Sequence, residues 1–189
     1  MTEEQSTLLK LAEEAGFSHY GLCSVKTLKT VPEVRDMCAV NKCRAYNSNW
    51  TCPPACGSIE DCEKRMKQYG FGILVQTTGV LEDSMDYEAM MDIEAKQSEG
   101  CRRMMQLVRQ NFRDCLCLFH GPCNICKSCS YPDEPCRFPD KAVSAMEGYG
   151  LLVSQVCKDN GVDYYYGKGT LTYTGLFLVK SKAEEPAEG

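Results

Sequence analysis

The sequence predicts an α/β fold, with α+β as the alternative, built on a mixed sheet of about five strands with flanking helices. Two observations lead to this fold class. Segments with helical periodicity alternate with short β-type runs along the chain, and two cysteine-rich loops, at residues 38–56 and 123–136, interrupt the alternation. The length of 189 residues suits one metal-binding domain over 1–180, followed by a polar tail at 181–189 that we expect to be disordered.

Caps and periodicity define the elements of the first half. Thr2 and Gln5 form a capping box for a first helix that Gly16 ends. Alternating residues then predict a strand, Ser58 caps a second helix, and the run FGILVQTTGV predicts a largely buried strand. These elements span residues 3–15, 17–25, 58–69 and 71–80.

The second half continues the alternation. A long helix carries apolar residues at helical spacing, and a short strand after it leads straight into the second cysteine loop. Another helix ends at Gly161, and a hairpin around Gly167–Gly169 closes the predicted fold. The predicted spans are 84–113, 115–119, 140–160, and 162–166 paired with 171–179.

The downstream loop carries the clearest chemical signal. Cys123, Cys126, Cys129 and Cys136 are spaced C-x2-C-x2-C-x6-C. Three thiolates at this spacing can surround one cuboidal iron–sulfur cluster, with a fourth cysteine further along. Zinc sites more often take one C-x2-C pair from each of two separated knuckles. The spacing therefore favours an iron–sulfur cluster over zinc.

The upstream loop offers a second set of thiolates. Cys38, Cys43, Cys52 and Cys56 are spaced C-x4-C-x8-C-x3-C, a pattern typical of no single metal. Cys62 is an alternative to Cys56 as the fourth ligand. Pro53 and Pro54 would hold this loop extended, and Trp50 would cover it as an apolar lid. If both loops follow parallel strands, they should meet at one edge of the sheet.

Other residues allow two interpretations each. The remaining cysteines, Cys23, Cys62, Cys101, Cys115, Cys117 and Cys157, mostly lie in apolar segments and are interpreted as core. His120 is either a structural histidine or a proton donor near the second loop. Glu147 is either a helix-surface carboxylate or a proton carrier beside a cluster. Arg137 would be solvated or would offset thiolate charge.

Composition limits the class of protein. Fourteen cysteines would suit a secreted disulfide scaffold, but the N-terminal segment has no basic region or apolar core of a signal peptide. No apolar stretch is long enough for a membrane span. A formal net charge of −5 and the lack of a basic stripe argue against nucleic-acid binding. We therefore expect a cytoplasmic protein whose clustered cysteines bind metal.

Several motifs together resemble a known family. The Cys52–Pro54 loop and the segment from Gly121 to Gly150, which combines G-P-C-x2-C-x2-C with a later Ser-x-Met-Glu, are similar to small prokaryotic proteins. That family is a domain of unknown function described as a predicted metal-binding protein. The resemblance runs from about Gly16 to Val179 and implies metal binding without implying a reaction.

The functional prediction is an iron–sulfur protein with two [4Fe-4S] clusters that passes single electrons to a partner enzyme. The alternatives are a cluster-dependent reductase acting on a small substrate or corrinoid, and a zinc-stabilised interaction module. We expect a redox partner protein and neither nucleic acid nor membrane.

Overall fold

Five strands form one open, mixed sheet in the computed structural model of the protein, which describes residues 1–181. The predicted α/β fold class is confirmed. The helices are α1 (Glu3–Ala15), α2 (Pro32–Ala39), α3 (Ile59–Met66), α4 (Tyr87–Asn111) and α5 (Val153–Asp159). The strands are β1 (His19–Cys23), β2 (Phe71–Val80), β3 (Asp114–Phe119), β4 (Ser144–Ala145) and β5 (Thr170–Lys180). Short 3-10 turns occupy Val25–Thr27 and Glu147–Tyr149.

The strand order is β1-β2-β5-β3-β4. Neighbouring strands run antiparallel, except that β3 and β4 are parallel over two residue pairs. The long pair of β2 and β5 is central, with Phe71 opposite Val179 and Val80 opposite Thr170. Gly72 permits this close approach, because a Cβ there would lie 2.4 Å from the carbonyl oxygen of Phe177.

The central strands separate two cores, because alternate side chains of a strand point to opposite faces. Ile73, Val75, Phe177 and Val179 face the first core, which α1 and α4 cover. Leu74, Leu176 and Leu178 face the second core, which contains Met66, Met146, Tyr149, Leu151 and Val156. The second core supports the segment around residue 148, which touches the upstream cysteine loop.

Local signals set several boundaries correctly. Thr2 and Gln5 form the predicted capping box, and Gly16 ends α1 in the left-handed region at φ 88°. Ser58 and Asp61 likewise cap α3. α4 begins after Asp86, whose side chain accepts a hydrogen bond from the Ala89 amide, and not at residue 84. The unpredicted α2 begins at Pro32, a residue that favours the first position of a helix.

The helix predicted over 140–160 is wrong. The segment contains β4, the turn Glu147–Tyr149, and only then α5. Gly150 adopts φ 75°, which an α-helix cannot continue through. The Met146 amide donates to the carbonyl of Phe119, and Leu151 forms a bridge with Thr30. Tertiary hydrogen bonds therefore replace the helical ones.

The predicted hairpin of 162–166 with 171–179 is also wrong. Residues 162–166 form no strand, and β5 pairs with β2 and β3. The Val162 amide donates to the Cys157 carbonyl, while Tyr166 stacks on His19 at 3.8 Å and donates to the Gln76 side chain. The ten-residue β2 offers β5 a longer partner than a local turn could.

Within residues 1–181, no helix combines the length and apolarity that crossing a bilayer requires. Most of the predicted disordered tail lies outside the described residues. Its first residue, Ser181, donates a hydrogen bond of 2.7 Å to the Glu4 carboxylate.

Candidate metal centre

The upstream cysteine loop starts in the last turn of α2, where Cys38 lies, and ends at the cap of α3. Asn41, Arg44 and Asn47 all adopt positive φ, so the chain reverses direction repeatedly. Asparagine tolerates this region better than arginine does. Side-chain and backbone bonds stabilise the reversals: Asn41 accepts from the Tyr46 amide at 3.0 Å, and the Asn47 amide donates to the Pro53 carbonyl at 2.8 Å.

The proline segment is turned, which corrects the expectation of an extended loop. The Cys56 amide donates to the Cys52 carbonyl at 3.1 Å, and the Gly57 amide donates to the Pro54 carbonyl at 3.0 Å. The Pro53–Pro54 peptide is cis. Prolines lack an N–H, but their carbonyls still accept, and here those bonds fold the chain back on itself.

A buried asparagine that the sequence analysis missed organises the middle of this loop. Asn49 is 7% exposed; its amide nitrogen donates to the Ala45 carbonyl, and its amide oxygen accepts from both the backbone and the hydroxyl of Thr51. Burial raises the pKa of the adjacent Cys52 above its ordinary value, and the neighbouring Asn49 and Thr51 side chains partly oppose this.

Three of the upstream thiols lie close enough for their charges to interact. Burial raises the pKa of Cys38, and the Glu147 carboxylate, Cys43 and Cys52 raise it further. Cys43 likewise contributes to the raised pKa of the buried Cys52. Thiolates in such a group repel one another. A bound cation would relieve this repulsion, because metal ligands are the deprotonated thiols.

Cys56 and Cys62 form a buried pair beside that group. A hydrogen bond with Cys62 and burial raise the pKa of Cys56, and the same hydrogen bond lowers the pKa of Cys62 to about 7, helped by Arg35 and Arg65. When the pair loses one proton, the negative charge therefore lies on Cys62. Cys52 contributes to the raised pKa of Cys56, and the Cys56 amide donates to the Cys52 carbonyl at 3.1 Å, so Cys56 continues the upstream set.

Arg35 connects these thiols to the rest of the protein, although the sequence analysis did not identify it. Its Nη1 donates to the Gly148 carbonyl at 2.7 Å and lies 3.8 Å from Cys56 Sγ and 3.9 Å from Cys62 Sγ. Its Nη2 donates to the Gly57 carbonyl at 2.8 Å. The planar fork of arginine allows one guanidinium to bind both segments.

The downstream loop brings its four cysteines around one space. Cys123, Cys126, Cys129 and Cys136 are all part-buried, and they line one cavity of about 30 Å³. Burial raises the pKa of Cys123, and the neighbouring Cys136, Cys126 and Cys129 raise it further. A cavity of this size holds little more than a water-sized group, so a larger group would require the loop to adjust around it.

Hydrogen bonds from the loop to itself maintain this shape. Ser130 Oγ donates to the Pro135 carbonyl at 2.8 Å, and the Glu134 amide donates to the Ser130 carbonyl at 2.9 Å. Arg137 donates through Nη1 to the Ser128 carbonyl at 2.9 Å. Arg137 is therefore not merely solvated, because it closes the loop next to the ligand candidate Cys136.

The two cysteine loops lie against each other. Trp50 Nε1 donates to the Glu134 carbonyl at 3.0 Å, and the Tyr131 hydroxyl donates to Asn47 Oδ1 at 2.6 Å. The rings of Trp50 and Tyr131 meet edge to face, with centroids 4.9 Å apart. The predicted proximity of the loops is thus observed, but its cause differs. Direct loop contacts join them, because most of the sheet is antiparallel.

Comparison with known families identifies the relationship of the chain. The family described as "Predicted metal-binding protein (DUF2284)" matches residues 22–179. The chain belongs to this family. The predicted resemblance is confirmed, and metal binding is the property that the family description states. Comparisons with curated proteins and with solved structures give no match.

The cysteine thiolates of the two loops are suitable ligands for the metal binding that the family description states. Thiolates suit zinc and iron–sulfur clusters, and each loop supplies four cysteines. Within the described part of the chain, no three His, Cys, Asp or Glu side chains are already arranged to hold a metal ion. Closing either set therefore requires the loop to adjust on binding, as many small metalloproteins do.

The six cysteines outside the two loops are interpreted from the sequence as core residues, and most of them are buried. Cys23, Cys62, Cys101, Cys117 and Cys157 are buried, and Cys115 is part-buried. Gln97 donates to Cys101 Sγ at 3.5 Å and Gln76 donates to Cys157 Sγ at 3.7 Å. These side chains pack within the two cores, but Cys62 contacts the Cys56 backbone and Cys117 also lines the cleft between the loops.

His120 lies beside the downstream loop, and its ring packs tilted against Tyr173 with the ring centroids 4.8 Å apart. Burial and the nearby Arg102 lower its pKa to about 4, so the ring is neutral at pH 7. Its Nε2 lies 3.4 Å from Ser98 Oγ, and its buried Nδ1 has no hydrogen-bond partner among the residues that the structure describes. Glu147 is exposed, and it lies on the Glu147–Tyr149 turn and not on a helix.

Proposed function

We propose that the protein is an iron–sulfur protein that carries two [4Fe-4S] clusters and passes single electrons to a partner protein. Cys123, Cys126, Cys129 and Cys136 would hold one cluster. Cys38, Cys43, Cys52 and Cys56 would hold the other, and Cys62 would stay in the core. The clusters, when bound, would supply one-electron chemistry.

The observation that carries the proposal is the shared cavity of the downstream thiols. Four cysteines in the ferredoxin-like spacing surround one space, and their part-buried positions would leave one side of that site near the surface. Such a position supports electron exchange with a docked protein.

The contact between the loops supports transfer between two sites. Cys52 of the upstream set and Cys123 of the downstream set are near enough to influence each other's charge. Trp50 lines the downstream cavity and also bonds to Glu134, so it excludes water between the sets. Arg35 lies beside the upstream thiols and Arg137 beside the downstream thiols. Their positive charges would offset part of the negative charge of the thiolates.

The protein's location forms part of the proposal. All fourteen cysteines are free thiols. Thiols remain reduced in the cytoplasm, where clustered cysteines more often bind metal than form disulfides. We therefore propose a cytoplasmic protein with a redox partner.

A second candidate is a cluster-dependent reductase for a small substrate. A cleft of about 290 Å³ lies between the loops and is lined by Cys56 and Cys136. Arg65, Tyr149 and Ser144 also line it, and Arg65 donates to the Tyr149 hydroxyl at 2.9 Å. These polar groups could bind a small anionic or carbonyl-containing molecule between the two thiol sets.

Metal analysis of protein purified without oxygen tests the proposal. We expect about eight irons and eight sulfides per chain, with the broad visible absorption of iron–sulfur clusters. About two zinc ions per chain and no sulfide would contradict the proposal and support a zinc-stabilised interaction module.

A further inference from the structure

β3 contains a pair of cysteines, Cys115 and Cys117, that lies outside both cysteine loops in the sequence. Cys115 and Cys117 are two residues apart, so their side chains lie on the same face of the strand. Their Sγ atoms are 3.8 Å apart. β4 pairs with Leu118 and Phe119, and within residues 1–181 no strand pairs with the edge opposite β5 at Cys115 and Cys117.

The two thiols differ in their surroundings. Cys117 is 8% exposed and packs in the first core, whereas Cys115 is part-buried near the start of the strand. Arg109 of α4 and the adjacent Asp114 are charged groups beside Cys115. The hydrogen bond from Cys117, together with Arg109, lowers the pKa of Cys115 to about 7. Cys115 is therefore the more accessible and more easily ionised thiol.

The strand geometry permits a bridge between them but does not favour it. Two residues of a strand span roughly 6.6–6.8 Å. That distance is at the upper end of the Cα separations of about 4.4–6.8 Å that disulfides accept. A bridge here would be strained, and strained disulfides are easily reduced.

We propose that Cys115 and Cys117 are a redox-active thiol pair that exchanges reversibly with low-molecular-weight disulfides of the glutathione class. The Cys115 thiolate attacks one sulfur of the small disulfide, forms a mixed disulfide and releases one small thiolate. Cys117 then loses its proton and attacks the Cys115 sulfur. This step forms the Cys115–Cys117 bond and releases the second small molecule as a thiol.

The electrons balance in this sequence. The two protein thiols lose two electrons and two protons, and the small disulfide gains them to become two thiols. The proton of Cys117 passes to the departing thiolate or to solvent. The reverse exchange with excess small thiol restores the reduced pair, as expected for a strained bridge.

Peptide mapping tests the pair in the full-length, metal-loaded protein. After anaerobic treatment with oxidised glutathione, the protein is unfolded in an alkylating reagent, digested and analysed by mass spectrometry. We expect the peptide containing residues 114–119 to lose two hydrogens and to resist alkylation at both cysteines, until dithiothreitol reverses the change. Unmodified, fully alkylated Cys115 and Cys117 would overturn the proposal.

Two variants follow the order of the steps. Cys117→Ser should retain glutathione on Cys115, because the resolving thiol is missing. Cys115→Ser should leave Cys117 free of glutathione, because the buried thiol is not the one that reacts first. Glutathione on Cys117 in the latter variant would overturn the assigned order. Cys157→Ser, a buried cysteine of the other core, is the matched control and should form the bridge as the wild type does.

Iron and sulfide are measured before and after the treatment. A bridge at residues 115 and 117 with unchanged metal content supports a pair independent of the metal loops. Disulfides found only among loop cysteines after metal loss would overturn it.

Discussion

Replacing Arg35 with methionine should destabilise the protein strongly, because Met keeps most of the apolar stem and removes every donor. The two carbonyls of Gly57 and Gly148 would lose bonds of 2.8 and 2.7 Å. A hydrogen bond to a charged group contributes about 1.5–3 kcal/mol, and the partial exposure of Arg35 argues for the lower end. The two bonds together correspond to a loss of roughly 3 kcal/mol in the free energy of unfolding.

Urea unfolding of the anaerobically purified protein measures this loss. With an m-value of about 2 kcal/mol per molar urea, the midpoint should fall by roughly 1.5 M. The Arg35→Lys variant should fall between the wild type and Arg35→Met, because a lysine keeps the charge but cannot bind both carbonyls through one planar fork.

Arg103→Met is the matched control for Arg35→Met. Arg103 meets Glu14 at 3.9 Å with both side chains more than half exposed, and such a pair contributes between about 0 and 1 kcal/mol. If both arginine variants shift the midpoint equally, the guanidinium of Arg35 does not connect the upstream loop to the turn at residue 148, and the reasoning is refuted.

Three further predictions concern a histidine, a glycine and a ligand candidate. His120 has a pKa of about 4 in the folded protein, against an ordinary value of 6.5. Between these two pH values only the unfolded chain binds a proton at His120, so the free energy of unfolding falls as the pH drops from 6.5 to about 4. In His120→Asn, urea titrations should show this fall reduced by up to roughly 3 kcal/mol, and an unchanged pH dependence would contradict it. Gly150→Ala should lower the free energy of unfolding by about 1–2 kcal/mol in thermal or urea unfolding, because Gly150 has φ 75°. In the control Gly148→Ala the new Cβ meets only ordinary contacts from 3.7 Å, so the loss should be smaller. Equal losses would refute the role of φ. Elemental analysis should show that Cys126→Ser lowers the iron content by about half and that Cys157→Ser leaves it unchanged. Full iron content in Cys126→Ser would exclude Cys126 as a ligand.

Local signals were sufficient where the structure itself is local. The capping box at Thr2 and the apolar run of β2 gave correct elements, because each depends on neighbouring residues. The segment after residue 140 has helical periodicity, but its backbone is fixed by Gly150, by a bond to Phe119 and by the bridge to Thr30. Sequence periodicity contains no information on such distant partners.

The candidate site shows the same division. The downstream cysteines are close in sequence, so their spacing alone indicated a shared cavity. Arg35 could not be found in this way, because its partner Gly148 is 113 residues distant. Trp50 was correctly placed at the site, but its contact with Glu134, 84 residues away, required the folded structure.

The contacts of Trp50 and Tyr131 across the two loops have a consequence for how the protein would acquire metal. Ordering one loop fixes the surface against which the other folds, so the second uptake event would lose less conformational freedom than the first. Thermodynamic reciprocity requires the same gain whichever loop is filled first. Half-filled chains would then be scarce during titration, and weakening the Trp50–Glu134 contact would make them accumulate.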